Sequence, residues 1–185
     1  VPQPEHHHPE VDSGVHVMMV LDQATRLSPD ARVRFAALVH DLGKGITPPD
    51  QWPKHIGHEE AGVALVEEMC RRFRIPNDYR DLARLVTRYH THCHRAAELR
   101  PATLLDALEA LDAFRRPERV GMFVLACEAD ARGRGGHESE AYPQADIFRR
   151  AFDAARGVDT AALARSGVQG PEIGKQIRRA RIAAI

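Results

Sequence analysis

Residues 35–45 read FAALVHDLGKG: an apolar run leads directly to a histidine and an aspartate, and glycines follow. An imidazole and a carboxylate side by side, here His40 and Asp41, can both bind one metal ion if the fold supplies further ligands. On its own, such a pair at a helix end is more often a local hydrogen-bonded contact. This chain has further candidates near the ends of other apolar segments, namely His16, His58, His90 and Asp130.

The apolar residues around these positions recur with the period of about 3.6 that is typical of amphipathic helices. Asp12 or Ser13 suits the N-cap of a first helix, Ser28 suits that of a second, and the glycines after Asp41 indicate its end. Further helices are predicted from Gly57, through Tyr79 to His90, from Pro101, from Pro117 to Asp130, and near the C-terminus. The sequence therefore predicts an all-α fold.

Composition sets limits on the function. The 185 residues suffice for one domain with a sizeable core, and 26 basic residues balance 26 acidic ones. A generally basic nucleic-acid surface is therefore not indicated, and RNA contacts would have to come from local patches. The three cysteines form no C-x-x-C pair, so neither a disulfide framework nor a zinc ribbon is expected. We expect a cytoplasmic protein with no membrane span.

The order His, His-Asp, His, His and Asp resembles that of the HD superfamily of metal-dependent phosphohydrolases. A closer similarity is to the C-terminal HD domain of the bacterial multifunctional CCA proteins, a family of tRNA nucleotidyltransferases. The stretches that carry it are EHHHPEVDSGVH (5–16), HDLGKGITPPDQWPKHIGH (40–58), RDLARLVTRYHTH (80–92) and EADARGR (128–134). The resemblance implies an HD-domain helical bundle with phosphatase, 2′-nucleotidase and 2′,3′-cyclic phosphodiesterase activities.

The resemblance also implies a division of the chain. Residues 1–11 are expected to be a linker from a missing upstream nucleotidyltransferase region, 12–157 the HD phosphohydrolase domain, and 158–185 a short C-terminal helical tail. The nucleotide-adding site is not in this sequence, so the chain alone is not expected to add C, C and A to tRNA. His6, His7 and His8 are interpreted as native, solvated residues and not as ligands.

Six side chains are the predicted metal ligands: His16, His40, Asp41, His58, His90 and Asp130. With Asp41 bridging, they suffice for two divalent ions. A single ion held by His16, His40, Asp41 and Asp130 is equally compatible, and His58 and His90 would then face the phosphate. The ligand types do not choose the metal among Ni, Mn, Co, Mg and similar ions.

The predicted catalytic residues are Asp41, Lys44, His58, His90, Arg132 and Arg134, where Lys44 or the arginines would balance charge on the phosphoryl oxygens. Several alternatives stay open. Lys44 is as well explained as a solvated lysine at a helix end, and Asp130 as an ion-pair partner of Arg132 or Arg134. His55, His92 or His94 could replace a named ligand.

The expected substrates are the tRNA 3′ end or 2′,3′-cyclic nucleotides, in tRNA 3′-end maturation and repair. Two alternative functions are considered. The first is a non-catalytic tRNA-docking or dimerisation module, in which the chain forms a homodimer. The second is an HD nucleotidase that acts on free nucleotides. Arg178, Arg179 and Arg181 would contact RNA backbone in the first case, although a basic solvated face explains them as well. Trp52 either stacks on a base or fastens its loop to the core.

Overall fold

The computed structural model describes residues 1–6, 8–165 and 170–185. The helices are α1 (Ser13–Leu27), α2 (Ala31–Val39), α3 (His58–Phe73), α4 (Asn77–His94), α5 (Pro101–Ala110), α6 (Glu118–Arg132), α7 (Pro143–Arg156), α8 (Thr160–Arg165) and α9 (Pro171–Ala184). Short 3₁₀ segments cover Leu42–Ile46, Pro49–Gln51 and Ala96–Glu98. Within these described ranges there is no β-strand, and the only bridge pairs Pro2 with Asp12. The predicted all-α helical bundle is confirmed.

Aspartates cap the N-termini of α1 and α2, and the second of these caps differs from the predicted residue. Asp12 caps α1, as predicted, because its Oδ1 accepts hydrogen bonds from the backbone N–H groups of Gly14 and Val15. The cap of α2 is Asp30 and not Ser28. Its carboxylate accepts from the N–H of Arg32 and also pairs with the Arg32 guanidinium at 2.6 Å, whereas the Ser28 hydroxyl accepts from the N–H of Asp30.

The core consists mainly of aliphatic side chains from α2, α3, α4 and α6, together with one pair of phenylalanine rings. Val33, Val66 and Leu82 are buried there, and the rings of Phe123 and Phe148 lie 5.2 Å apart. Helix α1 packs on α2 and α6 over a second, smaller cluster around Val20, Ala24, Ala37 and Ala129. This packing brings the start of α1 beside the ends of α2 and α6.

Helix α9, in the predicted tail, packs on α5 and α7. Two of its three arginines are engaged with the domain. Arg178 forms ion pairs with Asp106 and Glu109, and the guanidinium carbon of Arg181 lies 3.5 Å from the ring centroid of Phe114. Both side chains anchor α9, so they do not form the solvated basic face that the sequence suggested. Residues 166–169 of the predicted tail lie outside the described ranges.

The segment before α1, predicted as a linker, packs against the bundle. The N–H of Gln3 donates to the carbonyl of Val11, and the side chain of Gln3 is buried. His8 is largely buried rather than solvated, because its ring meets that of His16 at 4.6 Å in a T-shaped contact. His6 is exposed, and His7 lies outside the described residues. The segment therefore forms a wall of the region described next.

Candidate metal centre

The six predicted ligands converge because each lies near a helix end that points to one place. His16 is in the first turn of α1, His58 begins α3, and His90 and Asp130 lie near the ends of α4 and α6. His40 and Asp41 follow directly after α2. All six are buried, with exposed fractions between 0% and 8%.

Asp41 is the centre of one half of the cluster. Its Oδ1 lies 3.3 Å from Nε2 of His58 and 3.6 Å from Nε2 of His90. Its Oδ2 lies 3.3 Å from Nε2 of His40 and 2.6 Å from Nζ of Lys44. One carboxylate thus faces three imidazoles and an ammonium group, which is the position expected of a bridging ligand.

Asp130 is the centre of the other half. Its Oδ1 lies 3.0 Å from Nε2 of His16, and its Oδ2 lies 3.5 Å from Nε2 of His40 and 2.7 Å from Nε2 of His94. His40 therefore lies between the two aspartates. Neither Arg132 nor Arg134 forms an ion pair with Asp130, so the alternative of a simple arginine pair is not what the structure shows.

Backbone carbonyls fix the tautomers of the four histidines in the cluster. Nδ1 of His16 lies 3.1 Å from the carbonyl of Gly133. Nδ1 of His40 lies 2.7 Å from the carbonyl of Ala37, Nδ1 of His58 lies 2.9 Å from that of His55, and Nδ1 of His90 lies 3.1 Å from that of Val86. A carbonyl can only accept a hydrogen bond, so each Nδ1 carries the hydrogen. In each neutral ring the Nε2 lone pair then faces the cluster, which is how ligating histidines are usually held.

Several buried polar atoms in the cluster lack a hydrogen-bond partner: Nε2 of His40, Nε2 of His58 and Oδ1 of Asp41. Leaving such atoms unpaired costs about 1 to 3 kcal/mol each. Suitable donor atoms also lie within 4.8 Å of one another in four overlapping groups, namely His8/Glu10/His16, His16/His40/Asp41, His40/His90/Asp130 and Asp41/His58/His90. The residues therefore fit one or two divalent cations.

The electrostatics agree with this fit. Burial opposes charging of His40, but the negative charges of Asp41 and Asp130 raise its pKa to about 10. Burial together with the positive charge of His40 lowers the pKa of His90 to about 3. Burial also opposes ionisation of both aspartates, yet the His40 charge beside them holds their pKa values well below the usual range. Two ionised, buried carboxylates demand positive charge, which a proton or a cation can supply.

A cavity of about 180 Å³ opens onto the cluster. Asp41, His58, His90 and Asp130 line it together with three cationic side chains, Lys44, Lys54 and Arg134. Ligating groups and positive charges in one cavity suit an anionic substrate. Larger cavities of about 430 and 580 Å³ lie along α3 and α4, but there Arg84 and Arg88 pair with glutamates and no group of ligating residues is found among the described residues.

Of the residues predicted to balance charge on the phosphoryl group, Lys44 and Arg134 line the cavity and Arg132 does not. Lys44 is buried and not a solvated lysine: its Nζ lies 2.6 Å from Oδ2 of Asp41 and donates to the side-chain oxygen of Gln3. Arg132 lies 2.8 Å from Glu128, one turn earlier on α6, and does not line the cavity. This is because α6 continues to Arg132 and turns its side chain away from Asp130.

The three alternative histidines behave differently from one another. His55 is buried but fully bonded elsewhere, with Nδ1 at Thr47 Oγ1 and Nε2 at 2.7 Å from the carbonyl of Pro2. The ring of His92 meets that of Tyr89 in an edge contact, with 5.4 Å between the centroids. His94 alone contacts a ligand side chain of the cluster from outside, because its Nε2 lies 2.7 Å from Oδ2 of Asp130. His90 and His94 lie on one face of α4, as their spacing of four residues requires, and their ring centroids are 5.9 Å apart.

Sequence reasoning missed the polar residues that surround the cluster. Oε1 of Glu10 lies 3.0 Å from Nδ1 of His8 and 2.8 Å from Nδ1 of His16, and the Glu10 side chain is only 4% exposed. Gln3 contacts Lys44, and the Tyr142 hydroxyl lies 2.8 Å from Nδ1 of His94. The one sequence signal was Glu10 itself, an acidic residue in the stretch shared with the resembled family.

Trp52 and Gly43 fix the chain segments that flank the site. The indole N–H of Trp52 donates to the carbonyl of Thr47 at 3.1 Å, so the ring fastens the loop while remaining 38% exposed. Gly43 lies so close to α3 that a Cβ there would be 1.9 Å from the carbonyl oxygen of His58. This contact fixes the 3₁₀ segment after Asp41 against the start of α3.

Comparisons with known proteins agree with this geometry. A family model described as "HD domain" matches residues 14–113, which include His16, His40, Asp41, His58 and His90. The chain is 57% identical over 185 residues to a multifunctional CCA protein of Thioalkalivibrio sulfidiphilus and 55% identical over 186 residues to one of Methylococcus capsulatus. The corresponding protein of Pseudomonas syringae pv. syringae is 51% identical over 185 residues.

These matches cover 100% of the chain but only 45%, 44% and 45% of the three relatives, so the chain spans less than half the length of the curated proteins it matches. No solved structure matches it. In the part of the chain that the structure describes, no helix has the length and apolar character needed to cross a bilayer. The family model covers more than half of the chain and includes five of the six clustered side chains, and the chain therefore belongs to the HD domain family.

Proposed function

We propose that this chain is a metal-dependent phosphohydrolase domain, with 2′,3′-cyclic phosphodiesterase, 2′-nucleotidase and phosphatase activities, within a longer CCA-adding tRNA nucleotidyltransferase. Its substrate would be the tRNA 3′ end or a 2′,3′-cyclic nucleotide, in the cytoplasm. The observation that carries the proposal is the set of buried, unpaired atoms, Nε2 of His40 and His58 and Oδ1 of Asp41, which face one another across the cluster.

When bound, a divalent cation would supply Lewis-acid activation of water and of the phosphoryl oxygen. His16, His40, Asp41, His58, His90 and Asp130 would hold one or two such ions. Lys44 and Arg134 would bind the phosphoryl group and balance the charge that develops on it, since both line the cavity. The buried walls around His40 and Asp41 strengthen each of these interactions, because they keep bulk water away from the reacting phosphate.

The alternative of a non-catalytic RNA-docking module has less support. Its expected contacts were the arginines of α9, and two of the three are engaged with the rest of the domain: Arg178 with Asp106 and Glu109, and Arg181 with the ring of Phe114. A complete set of inward-facing ligands has no purpose in a module that only docks. Hydrolysis of free nucleotides uses the same chemistry, so a substrate panel separates it from hydrolysis at a tRNA end.

The test is hydrolysis of 2′,3′-cyclic AMP and p-nitrophenyl phosphate by metal-stripped protein, with Ni, Mn, Co or Mg added back singly. Asp41→Asn, which keeps the shape of the side chain, should reduce turnover by at least 100-fold, since it removes the ligand shared by three histidines. Asp50→Asn, at an exposed aspartate in the loop before Trp52, is the matched control. Turnover that is equal with and without metal would refute the proposal. A tRNA ending in a 2′,3′-cyclic phosphate, compared with the free nucleotide, then identifies the preferred substrate.

A further inference from the structure

His94 is hydrogen-bonded through both ring nitrogens, and the direction of each bond can be deduced. Nε2 lies 2.7 Å from Oδ2 of Asp130, and Nδ1 lies 2.8 Å from the hydroxyl oxygen of Tyr142. An ionised carboxylate only accepts, so Nε2 of His94 carries a hydrogen. In the neutral ring Nδ1 is then an acceptor, and the Tyr142 hydroxyl donates to it. The chain of donors runs from Tyr142 through His94 to Asp130.

This chain limits what Asp130 can do. The terminal torsion of an aspartate is broad, so a carboxylate without fixed partners rotates readily. The His94 N–H occupies one side of Oδ2, while Oδ1 faces Nε2 of His16 and Oδ2 faces Nε2 of His40 at longer range. These contacts hold the carboxylate of Asp130 with its oxygens toward the rings of His16 and His40. Asp130 can then bind the same cation as those two histidines.

Tyr142 acts from a different part of the fold. It lies immediately before α7, after the loop that carries Arg134, and its ring meets the ring of His94 at 5.7 Å in an edge contact. Neither Tyr142 nor His94 belongs to the groups whose donor atoms converge on a common point. Both therefore surround the cluster rather than belong to it.

We propose that Tyr142 and His94 are positioning residues of the metal centre, in which Tyr142 fixes the tautomer of His94 and His94 fixes the carboxylate of Asp130. The inference rests on the proposed function, because it assigns these residues a role toward the same bound cation. Hydrogen-bonded partners behind a ligand typically change metal affinity by about 10- to 100-fold when they are removed.

The experiment measures metal affinity directly, by competition between the metal-stripped protein and a chelating dye for Co²⁺ or Mn²⁺. Tyr142→Phe removes only the hydroxyl and should weaken affinity about three- to tenfold, whereas His94→Ala should weaken it about 10- to 100-fold. Tyr79→Phe is the matched control, because Tyr79 is a partly buried tyrosine on α4 whose ring packs against Phe35, away from the cluster. Circular dichroism melts establish that each variant is folded.

A second readout is the visible absorption spectrum of the Co²⁺ protein, which reports the ligand field. It should change in Tyr142→Phe and stay unchanged in Tyr79→Phe. If Tyr142→Phe does not fold, His94→Gln serves instead, because its amide can still donate to Asp130 but fixes no ring tautomer; its affinity should lie between those of the wild type and His94→Ala. Wild-type affinity and spectrum in the Tyr142 and His94 variants would overturn this inference alone. A wild-type protein that binds no metal would overturn the proposed function as well.

Discussion

Lys44 and Asp41 form a buried ion pair, with 2.6 Å between Nζ and Oδ2, and the side-chain oxygen of Gln3 accepts a second hydrogen bond from the same ammonium group. Lysines just after a helix end are usually solvated. Here the 3₁₀ segment Leu42–Ile46 turns Lys44 inward, and the chain before α1 covers it. Through Gln3, this pair connects residues 1–11 to the proposed site.

Gln3→Ala should destabilise the protein. The substitution leaves the Lys44 ammonium without one acceptor in a buried place, and it leaves a cavity where the amide was. The expected loss is about 1 to 3 kcal/mol in the free energy of unfolding, measured by urea titration of the metal-free protein. Gln51→Ala, at a half-exposed glutamine, should change the same quantity by less than about 0.5 kcal/mol. Equal effects of the two substitutions would show that Gln3 does not support Lys44.

Lys44→Met should separate hydrolysis from metal binding. Removing the ammonium group frees Oδ2 of Asp41, so affinity for a divalent cation should stay the same or increase. Turnover should fall by roughly 10- to 1,000-fold, because the phosphoryl oxygens lose a cationic partner in the cavity. Dye competition measures the affinity, and hydrolysis of p-nitrophenyl phosphate measures the turnover. Lys175→Met on α9 is the control; a parallel loss of metal affinity in Lys44→Met would contradict the assigned role.

Much of the cluster could be predicted from the sequence because each ligand lies near the end of a predicted helix. His40 and Asp41 end an apolar helix, and His58 begins one, so the helix ends fixed roughly where these side chains point. The spacing of four residues on α4 also puts His90 and His94 on one face. These local patterns locate the helix ends, whereas the choice of the six side chains as one metal site rests on their order along the chain and on the family resemblance that this order implies.

The surrounding residues could not be found in this way. Gln3 and Glu10 lie in a proline-rich segment without periodicity, and their partners are distant: Gln3 contacts Lys44, 41 residues later, and Glu10 accepts from the N–H of Gly135, 125 residues later. Arg132 was misplaced for a related reason. Proximity to Asp130 along the chain suggested proximity to the site, but a residue two positions further along a helix points about 200° away.

The affinity of the site for a divalent cation should increase with pH. The pKa of His40 in the metal-free protein is raised to about 10 from its ordinary value of 6.5, chiefly by Asp41 and Asp130 acting against burial. Its protonation therefore stabilises the metal-free fold fully below about pH 6.5, and this contribution is lost as the pH rises through about 10. A cation must displace that proton, so binding near pH 8 should release about one proton.

Calorimetric titrations in two buffers with different enthalpies of ionisation count the released protons, and dye competition at pH 7 and pH 9 gives the change in affinity. At most a tenfold gain per pH unit is expected from a single displaced proton. His6→Gln, at an exposed histidine, should leave the proton count unchanged. Binding that releases no protons between pH 7 and pH 9 would show that His40 is already neutral in the metal-free protein.

Gly43→Ala and Gly45→Ala should differ sharply although both lie in the same 3₁₀ segment. A Cβ at residue 43 would meet the carbonyl oxygen of His58 at 1.9 Å and the backbone nitrogen of Gly62 at 2.8 Å, whereas nothing lies within 4 Å of a Cβ at residue 45. Since the obstructing atoms belong to the backbone of α3, the helix must move and carry His58 with it. Gly43→Ala should therefore cost about 3 kcal/mol or more in the free energy of unfolding and weaken metal binding.

Gly45→Ala should change stability by about 0.5 kcal/mol or less. Urea titration and dye competition on both variants test this, and equal tolerance of the two alanines would mean that α3 does not fix the loop that follows Asp41.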